Sequence, residues 1–155
     1  MKKLIILSFC IFSFSFGYAQ SGKELDNENG TSMMPIVDGM NDVIKVLEEK
    51  KLEIVHIEFD LLFQDRDKEI IRSLSAGYKY SFLAYGDYRI KQVGLNLYKE
   101  ENGVWKYIKT GDVSNGATTL IIDVEETAKY KIVLIGGEFA DEYKAGHYGI
   151  FIMHN

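Results

Sequence analysis

The stretch GDYRIKQVGLNLYKEENGVWKYIKTGD, residues 86 to 112, alternates apolar and polar side chains on both sides of a glycine turn. Val93, Leu95 and Leu97 fall on one face of its first half, because side chains along a strand point alternately to opposite sides. The sequence ENG at 101 to 103 is typical of a tight hairpin turn. The stretch therefore predicts two antiparallel strands joined by a hairpin.

Similar strand patterns lie on both sides of this hairpin. The alternating segments, separated by polar turn signals, are EIVHIEFDLLF, EIIRSL, YKYSFLAYGD, TTLIIDV, KYKIVLIG and HYGIFIM. In the first segment we expect the apolar row to face the core of the domain: Val55, Ile57, Phe59, Leu61 and Phe63. Together the segments predict about eight strands and an all-β fold, an antiparallel β-sandwich or jelly roll.

Only one segment has helical periodicity. The apolar residues between 38 and 52 recur at the spacing of one helix face: Met40, Val43, Ile44 and Leu47. Asp38 is a candidate N-cap, because its carboxylate can accept hydrogen bonds from unpaired backbone amides. We expect an amphipathic helix that covers one side of the sandwich.

The N-terminus has the layout of a secretory signal peptide. Two lysines precede the apolar run 4–16, and Gly17 and Ala19 supply small residues three and one positions before a cut. The run is shorter than the roughly 20 residues that cross a membrane. The next segment is polar and lacks apolar periodicity, which is typical of a flexible leader. The predicted organisation is a signal peptide at 1–19, a flexible leader at 20–34, and one sandwich domain with an N-terminal helix at 35–155.

Charge and cysteine content limit the partners. The only cysteine, Cys10, lies in the predicted signal peptide, so the mature chain is cysteine-free. Removing Lys2 and Lys3 moves the formal charge from −5 to −7. Such a surface repels phosphate backbones and anionic lipids. We therefore expect a secreted or periplasmic protein with no nucleic-acid partner and no membrane insertion after signal removal.

The sequence contains no recognisable catalytic constellation. Nucleophilic catalysis needs an activated Ser, Cys or Thr beside a base, and no G-x-S-x-G turn occurs. The pair Gly136-Gly137 ends a predicted strand instead of opening a helix, so it matches no dinucleotide fingerprint. We assign no catalytic residue and no organic cofactor.

A metal site is one alternative for the first strand. His56, Glu58 and Asp60 project from the same face of this strand, about 7 Å apart in succession. They are too widely spaced to share one ion without ligands from a neighbouring strand. Asp65 and Asp67 in the adjoining turn could complete a site for a hard divalent cation. The other interpretation is a solvated strand face with a charged hairpin tip.

Aromatic side chains give a second candidate site. Trp105 and Tyr107 share one face of VWKYIK, and Tyr98 lies across the predicted hairpin. If Val104, Lys106 and Ile108 point inward, these aromatic rings form a platform for a sugar or another ligand; in the opposite register they are core. Beside the loop before the last strand, at the start of HYGIFIM, His147 and Tyr148 are further ligand-binding candidates.

Three parts of the chain together resemble the bacterial pre-peptidase C-terminal domain and its jelly-roll relatives. They are GDYRI with LNLY, then TTLIIDVEETAKYKIVLIGG, then GHYGIFI, and the likeness covers roughly residues 70 to 153. The resemblance implies a jelly roll associated with secretion, substrate engagement or carbohydrate binding. Many such domains carry acidic residues where this chain has Gln92 and Gly94.

These observations favour a secreted, non-catalytic β-sandwich module that binds a carbohydrate, a peptide or an envelope partner. A metal-dependent hydrolytic enzyme built around His56, Glu58 and Asp60 is one alternative. A structural or inhibitory protein that pairs an edge strand with a partner or inserts a loop is the other.

Overall fold

A computed structural model describes residues 32–114 and 116–155. The predicted signal peptide and residues 20–31 of the predicted leader lie outside the described residues. Within the described part, no helix is long and apolar enough to cross a membrane.

One helix precedes nine strands in the described residues. Helix α1 spans Met34–Glu49. The strands are β1 Glu53–Phe63, β2 Lys68–Leu74, β3 Lys79–Gly86, β4 Ile90–Glu101, β5 Val104–Thr110, β6 Asp112–Ser114, β7 Ala117–Asp123, β8 Ala128–Phe139 and β9 Ala145–His154.

The strands form two antiparallel sheets. The five-stranded sheet has the order β1-β9-β3-β7-β6, and the four-stranded sheet has the order β2-β8-β4-β5. Apart from the hairpin-paired strands β4–β5 and β6–β7, successive strands lie in different sheets, in the manner of a jelly roll. This arrangement confirms the sandwich that the alternating segments predict.

The predicted hairpin lies between β4 and β5. Asn102 and Gly103 form its two-residue turn, with φ values of 55° and 78°. Positive φ at both central positions matches the twist of the flanking strands, and Asn-Gly adopts it readily. The turn sets the pairing that brings Tyr98 opposite Tyr107.

Two apolar clusters hold the layers together. The larger one lies between the sheets, with Phe82, Leu95 and Ile150 among its fully buried members. The smaller one lies under the helix, where Met40 and Val43 pack with Phe151 of β9. The helix therefore covers the outer face of the five-stranded sheet, as expected.

The helix boundaries differ from the prediction. The helix begins at Met34 and ends at Glu49, and its N-cap residue is Met33 instead of Asp38. Pro35 stands at the start, where its fixed φ and missing N–H fit the first turn. The lack of apolar periodicity in residues 20–34 predicted a leader that extends to Met34, and the first helical residues were expected after Asp38.

The orientation predicted for β1 is wrong. Its apolar row, which was expected to face the core, is exposed at 38–43%: Val55, Ile57, Phe59, Leu61 and Phe63. The polar side chains at 56 and 58 point toward the gap between the sheets and are half-buried. The reason is that β1 is an edge strand beside the helix, while its polar row finds partners on β2 and β9.

Candidate functional site

Tyr98, Trp105 and Tyr107, here called the aromatic platform, lie together on the outer face of the four-stranded sheet. On β4 the inward side chains are Leu95 and Leu97, so Tyr98 points outward. Neither apolar cluster contains Trp105 or Tyr107. The platform is therefore part of the solvent face and not of the core.

The rings of the platform are held by contacts with one another and with a cation. Tyr98 and Tyr107 meet edge to face, with ring centroids 5.8 Å apart. The ammonium of Lys131 lies 5.4 Å from the ring centroids of both Tyr98 and Trp105. Glu69 accepts a hydrogen bond of 2.9 Å from the same ammonium. A fixed cation–π arrangement thus orients two of the three rings.

A chain of hydrogen bonds positions the third ring. The hydroxyls of Tyr107 and Thr110 lie 2.8 Å apart, and Thr110 donates to Asn96 Oδ1 at 2.7 Å. Tyr107 nevertheless remains 57% exposed. An oriented, exposed ring beside amide, hydroxyl and charged groups can stack on an apolar face and hydrogen-bond the polar edge of the same ligand.

Val104 and Ile108 do not form the inward set that the platform interpretation assumed. Both are exposed, although they occupy the face of β5 opposite to the platform. Strand β5 is the last strand of its sheet. Trp105 and Tyr107 of the platform therefore lie on an edge strand that extends beyond the core. No core side chains of β5 lie beneath them.

His147 and Tyr148, the ligand-binding candidates beside the loop before the last strand, are not accessible to a ligand. Both belong to β9 and are buried. Tyr148 lies in the core between the sheets and donates a 2.6 Å hydrogen bond to Glu58. Strand β9 begins at Ala145, two residues before the predicted strand segment HYGIFIM.

A buried charge network surrounds His147. Asp87 accepts hydrogen bonds from the Arg89 guanidinium, the Arg89 backbone N–H and the His147 backbone N–H. The guanidinium also donates to His147 Nδ1 and to the carbonyl of Ser32. Asp87 and Arg89 were not among the candidate residues predicted from the sequence. The segment GDYR could have indicated this pair, because it places opposite charges two residues apart directly after a glycine.

The predicted metal ligands on β1, His56, Glu58 and Asp60, contact the cationic side chains of two β2 residues. Lys68 lies 2.7 Å from an Asp60 oxygen and 3.5 Å from a Glu58 oxygen. Arg72 donates to His56 Nδ1 at 2.6 Å. Because two cationic side chains already lie against this row, it is a poor place for a metal ion.

Asp65 and Asp67 remain exposed in the turn between β1 and β2. Among residues 32–114 and 116–155, no three His, Cys, Asp or Glu side chains are grouped so that they could hold a metal ion. The structure therefore does not bring the five predicted ligands together.

Arg72 and Lys68 change the pKa values of His56 and Asp60. Burial, followed by the charge of Arg72, lowers the pKa of His56 below its ordinary value. Hydrogen bonds from Lys68 and from the Leu61 backbone N–H lower the pKa of Asp60. Both shifts favour the forms that the cations prefer, a neutral imidazole and an ionised carboxylate.

Solved structures with the same fold include the following two. One is a periplasmic lysozyme inhibitor of g-type lysozyme from Aeromonas hydrophila, with a TM-score of 0.51 and 12% identity over 68% of this chain and 90% of the inhibitor. The other is the pre-peptidase C-terminal domain of a collagenase from Bacillus anthracis, with a TM-score of 0.50 and 11% identity over 63% of this chain and 87% of that domain.

The second match confirms, for the fold, the resemblance drawn from the sequence. No family profile and no curated protein sequence matches the chain. At these identities the likeness describes the fold alone.

Proposed function

We propose that this chain is a secreted, non-catalytic β-sandwich module that binds carbohydrate on the aromatic platform. The observation that carries the proposal is the exposure of Tyr107 while its hydroxyl is hydrogen-bonded to Thr110, which in turn donates to Asn96. A ring that is already oriented loses little conformational entropy when a ligand stacks on it.

The surroundings of the platform suit a sugar. Lys131 and Glu69 lie beside Tyr98 and Trp105, and Glu100 lies opposite Trp105 in the hairpin. Sugars present apolar C–H faces and polar hydroxyl edges, so they need aromatic rings with donors and acceptors around them.

A thermal-shift screen of the mature chain against soluble oligomers of glucose and of N-acetylglucosamine tests the proposal. An oligomer at a hundred times its dissociation constant stabilises the folded chain by about 2.7 kcal/mol. For a domain of this size we expect a rise in Tm of roughly 5 to 15 °C.

The decisive variant is Tyr107→Ala, which should abolish the shift while the Tm without sugar changes little, because the ring is exposed. Its matched control is Tyr88→Ala. Tyr88 is 58% exposed, almost as much as Tyr107, but lies beside Tyr143 away from the platform. A shift that survives Tyr107→Ala would remove the platform as the binding site.

A further inference from the structure

One row of side chains crosses the four-stranded sheet from its first strand to its last. Ile71 of β2 lies opposite Lys131 of β8. Lys131 in turn lies opposite Tyr98 of β4, and Tyr98 lies opposite Tyr107 of β5. These four residues are here called the cross-strand row. The aromatic platform therefore occupies only one end of a row that continues to the opposite edge of the sheet.

The two ends of the cross-strand row are apolar and exposed. Ile71 is 53% exposed and Tyr107 is 57% exposed. Ile70 is buried in the core, so alternation along β2 places Ile71 on the outer face. Among the described residues of this sheet, the other large apolar side chains that are exposed are Val104 and Ile108, on the opposite face of β5. The row thus ends, at each edge, in a side chain that can pack against the apolar face of a ligand.

The centre of the row is half-buried and polar. The side chain of Lys131 is only 16% exposed, because it lies against the rings of Tyr98 and Trp105 and donates a hydrogen bond to Glu69. A half-buried centre between two exposed ends suits a ligand that lies flat across the strands. Such a ligand meets apolar side chains at its ends and hydrogen-bonding groups at its centre.

The spacing of the strands sets the length of this ligand. Neighbouring strands lie about 4.8 Å apart, so the ends of a row over four strands are about 14 Å apart, roughly the length of three linked hexoses. A single sugar ring cannot reach from Tyr107 to Ile71. Along the strands the face has no comparable apolar end, because the neighbours of Tyr98 on the outer face of β4 are Asn96 and Glu100. The row therefore favours a linear chain that crosses the strands.

The charges beside the row compensate one another. Lys131 donates to Glu69 at 2.9 Å, and the ammonium of Lys129 lies 3.7 Å from a Glu100 oxygen. Each of these two lysines of β8 is thus matched by a carboxylate on a neighbouring strand. An acidic or a cationic sugar would have to displace one of these partners, whereas an uncharged sugar can hydrogen-bond to both. The face therefore favours an uncharged ligand.

We propose that the cross-strand row is one extended site for a linear, uncharged oligosaccharide of at least about three sugar units, which crosses the strands with one end on Tyr107 and the other on Ile71. The inference rests on the proposed function and deepens it. It adds Ile71, on the strand farthest from the platform hairpin, as a binding residue. It also assigns the length, the shape and the charge of the ligand.

Calorimetric titration of residues 20–155 with glucose and N-acetylglucosamine oligomers, from the monosaccharide to the hexasaccharide, tests the length. The dissociation constant should fall until the oligomer spans the row and then level off. Ile71→Ala should weaken binding of the tetrasaccharide at least about fivefold, because it removes an apolar contact, and should leave binding of the disaccharide unchanged. Ile121→Ala is the matched control, because Ile121 is an exposed isoleucine on the five-stranded sheet. It should change neither.

The two proposals fail in different ways. If Tyr107→Ala abolishes binding but Ile71→Ala leaves the affinity for every length unchanged, the extended site is overturned and the platform stands. Equal weakening of the disaccharide and the tetrasaccharide by Ile71→Ala would also overturn the extended site. If no oligomer binds at any length, both proposals are overturned. The Tm of each variant without sugar confirms that it is folded.

Charged counterparts of the same oligomers test the charge of the ligand. Glucuronate oligomers are the acidic counterpart of glucose oligomers, and glucosamine oligomers with protonated amines are the cationic counterpart of N-acetylglucosamine oligomers. The charged counterpart of whichever series binds should bind at least about tenfold more weakly at the same length. Equal or tighter binding of the charged oligomer would overturn the assignment of an uncharged ligand.

Discussion

Asp87 and Arg89 have side chains that are 0% and 3% exposed, and each compensates the charge of the other. Asp87 also accepts from the backbone of β9, so the pair ties the turn after β3 to the last strand. A buried ion pair need not stabilise a protein relative to an apolar replacement. Losing one member, however, leaves a buried charge without compensation.

Asp87→Asn should therefore destabilise the chain strongly. We expect the free energy of unfolding to fall by about 3 kcal/mol, because Arg89 stays charged and buried. Urea unfolding measures the loss. Asp42→Asn is the control: its ion pair with Lys45 is exposed, and its removal should cost less than about 1 kcal/mol. Equal losses in the two variants would refute the role of the network.

His56 should make stability depend on pH. Burial and Arg72 lower its pKa in the folded state, so the unfolded chain binds the proton more readily. The stability that neutral His56 provides is present above the ordinary pKa of 6.5 and is lost as pH falls through the lowered value. His56→Gln should reduce the loss of Tm between about pH 7 and pH 5. Parallel Tm curves for the two proteins would contradict this.

At the scale of elements, helix α1 depends on a narrow apolar stripe. Met40 is buried against the five-stranded sheet, whereas Met34 at the start of the helix is exposed. Met40→Ala should lower the free energy of unfolding by about 2 to 4 kcal/mol, because it leaves a cavity under the helix. Met34→Ala makes the same chemical change outside the cluster and should be nearly neutral. Urea unfolding compares them, and similar losses would show that the helix is not docked as described.

The elements differ in how much of their structure the sequence could predict. The alternating pattern and the Asn-Gly turn were enough to predict the β4–β5 hairpin. The turn residues adopt the positive φ values that Asn-Gly favours. Alternation failed for β1, because it identifies two faces without saying which one meets the core. That choice depends on tertiary partners such as Lys68 on β2 and Tyr148 on β9, whose contacts with β1 exist only in the folded chain.

At the scale of the whole molecule, the helix and the platform lie on different sheets. The helix covers the five-stranded sheet, and the platform lies on the four-stranded sheet. The sequence predicted which aromatic residues belong together, because Tyr98 and Tyr107 face each other across a recognisable hairpin. It could not predict the contribution of Lys131, which comes from β8 and meets the rings only in the folded sheet.

Trp105 is the only tryptophan of the chain, so its fluorescence reports directly on the platform. The most direct test of carbohydrate binding is a titration of residues 20–155 with the oligosaccharide that gives the largest thermal shift. Trp105 emission and acrylamide quenching follow the titration. Stacking on the platform predicts a blue shift and a saturable loss of quenching, and Tyr107→Ala should remove both. An oligosaccharide that stabilises the chain and leaves Trp105 emission and quenching unchanged would contradict carbohydrate binding at this face.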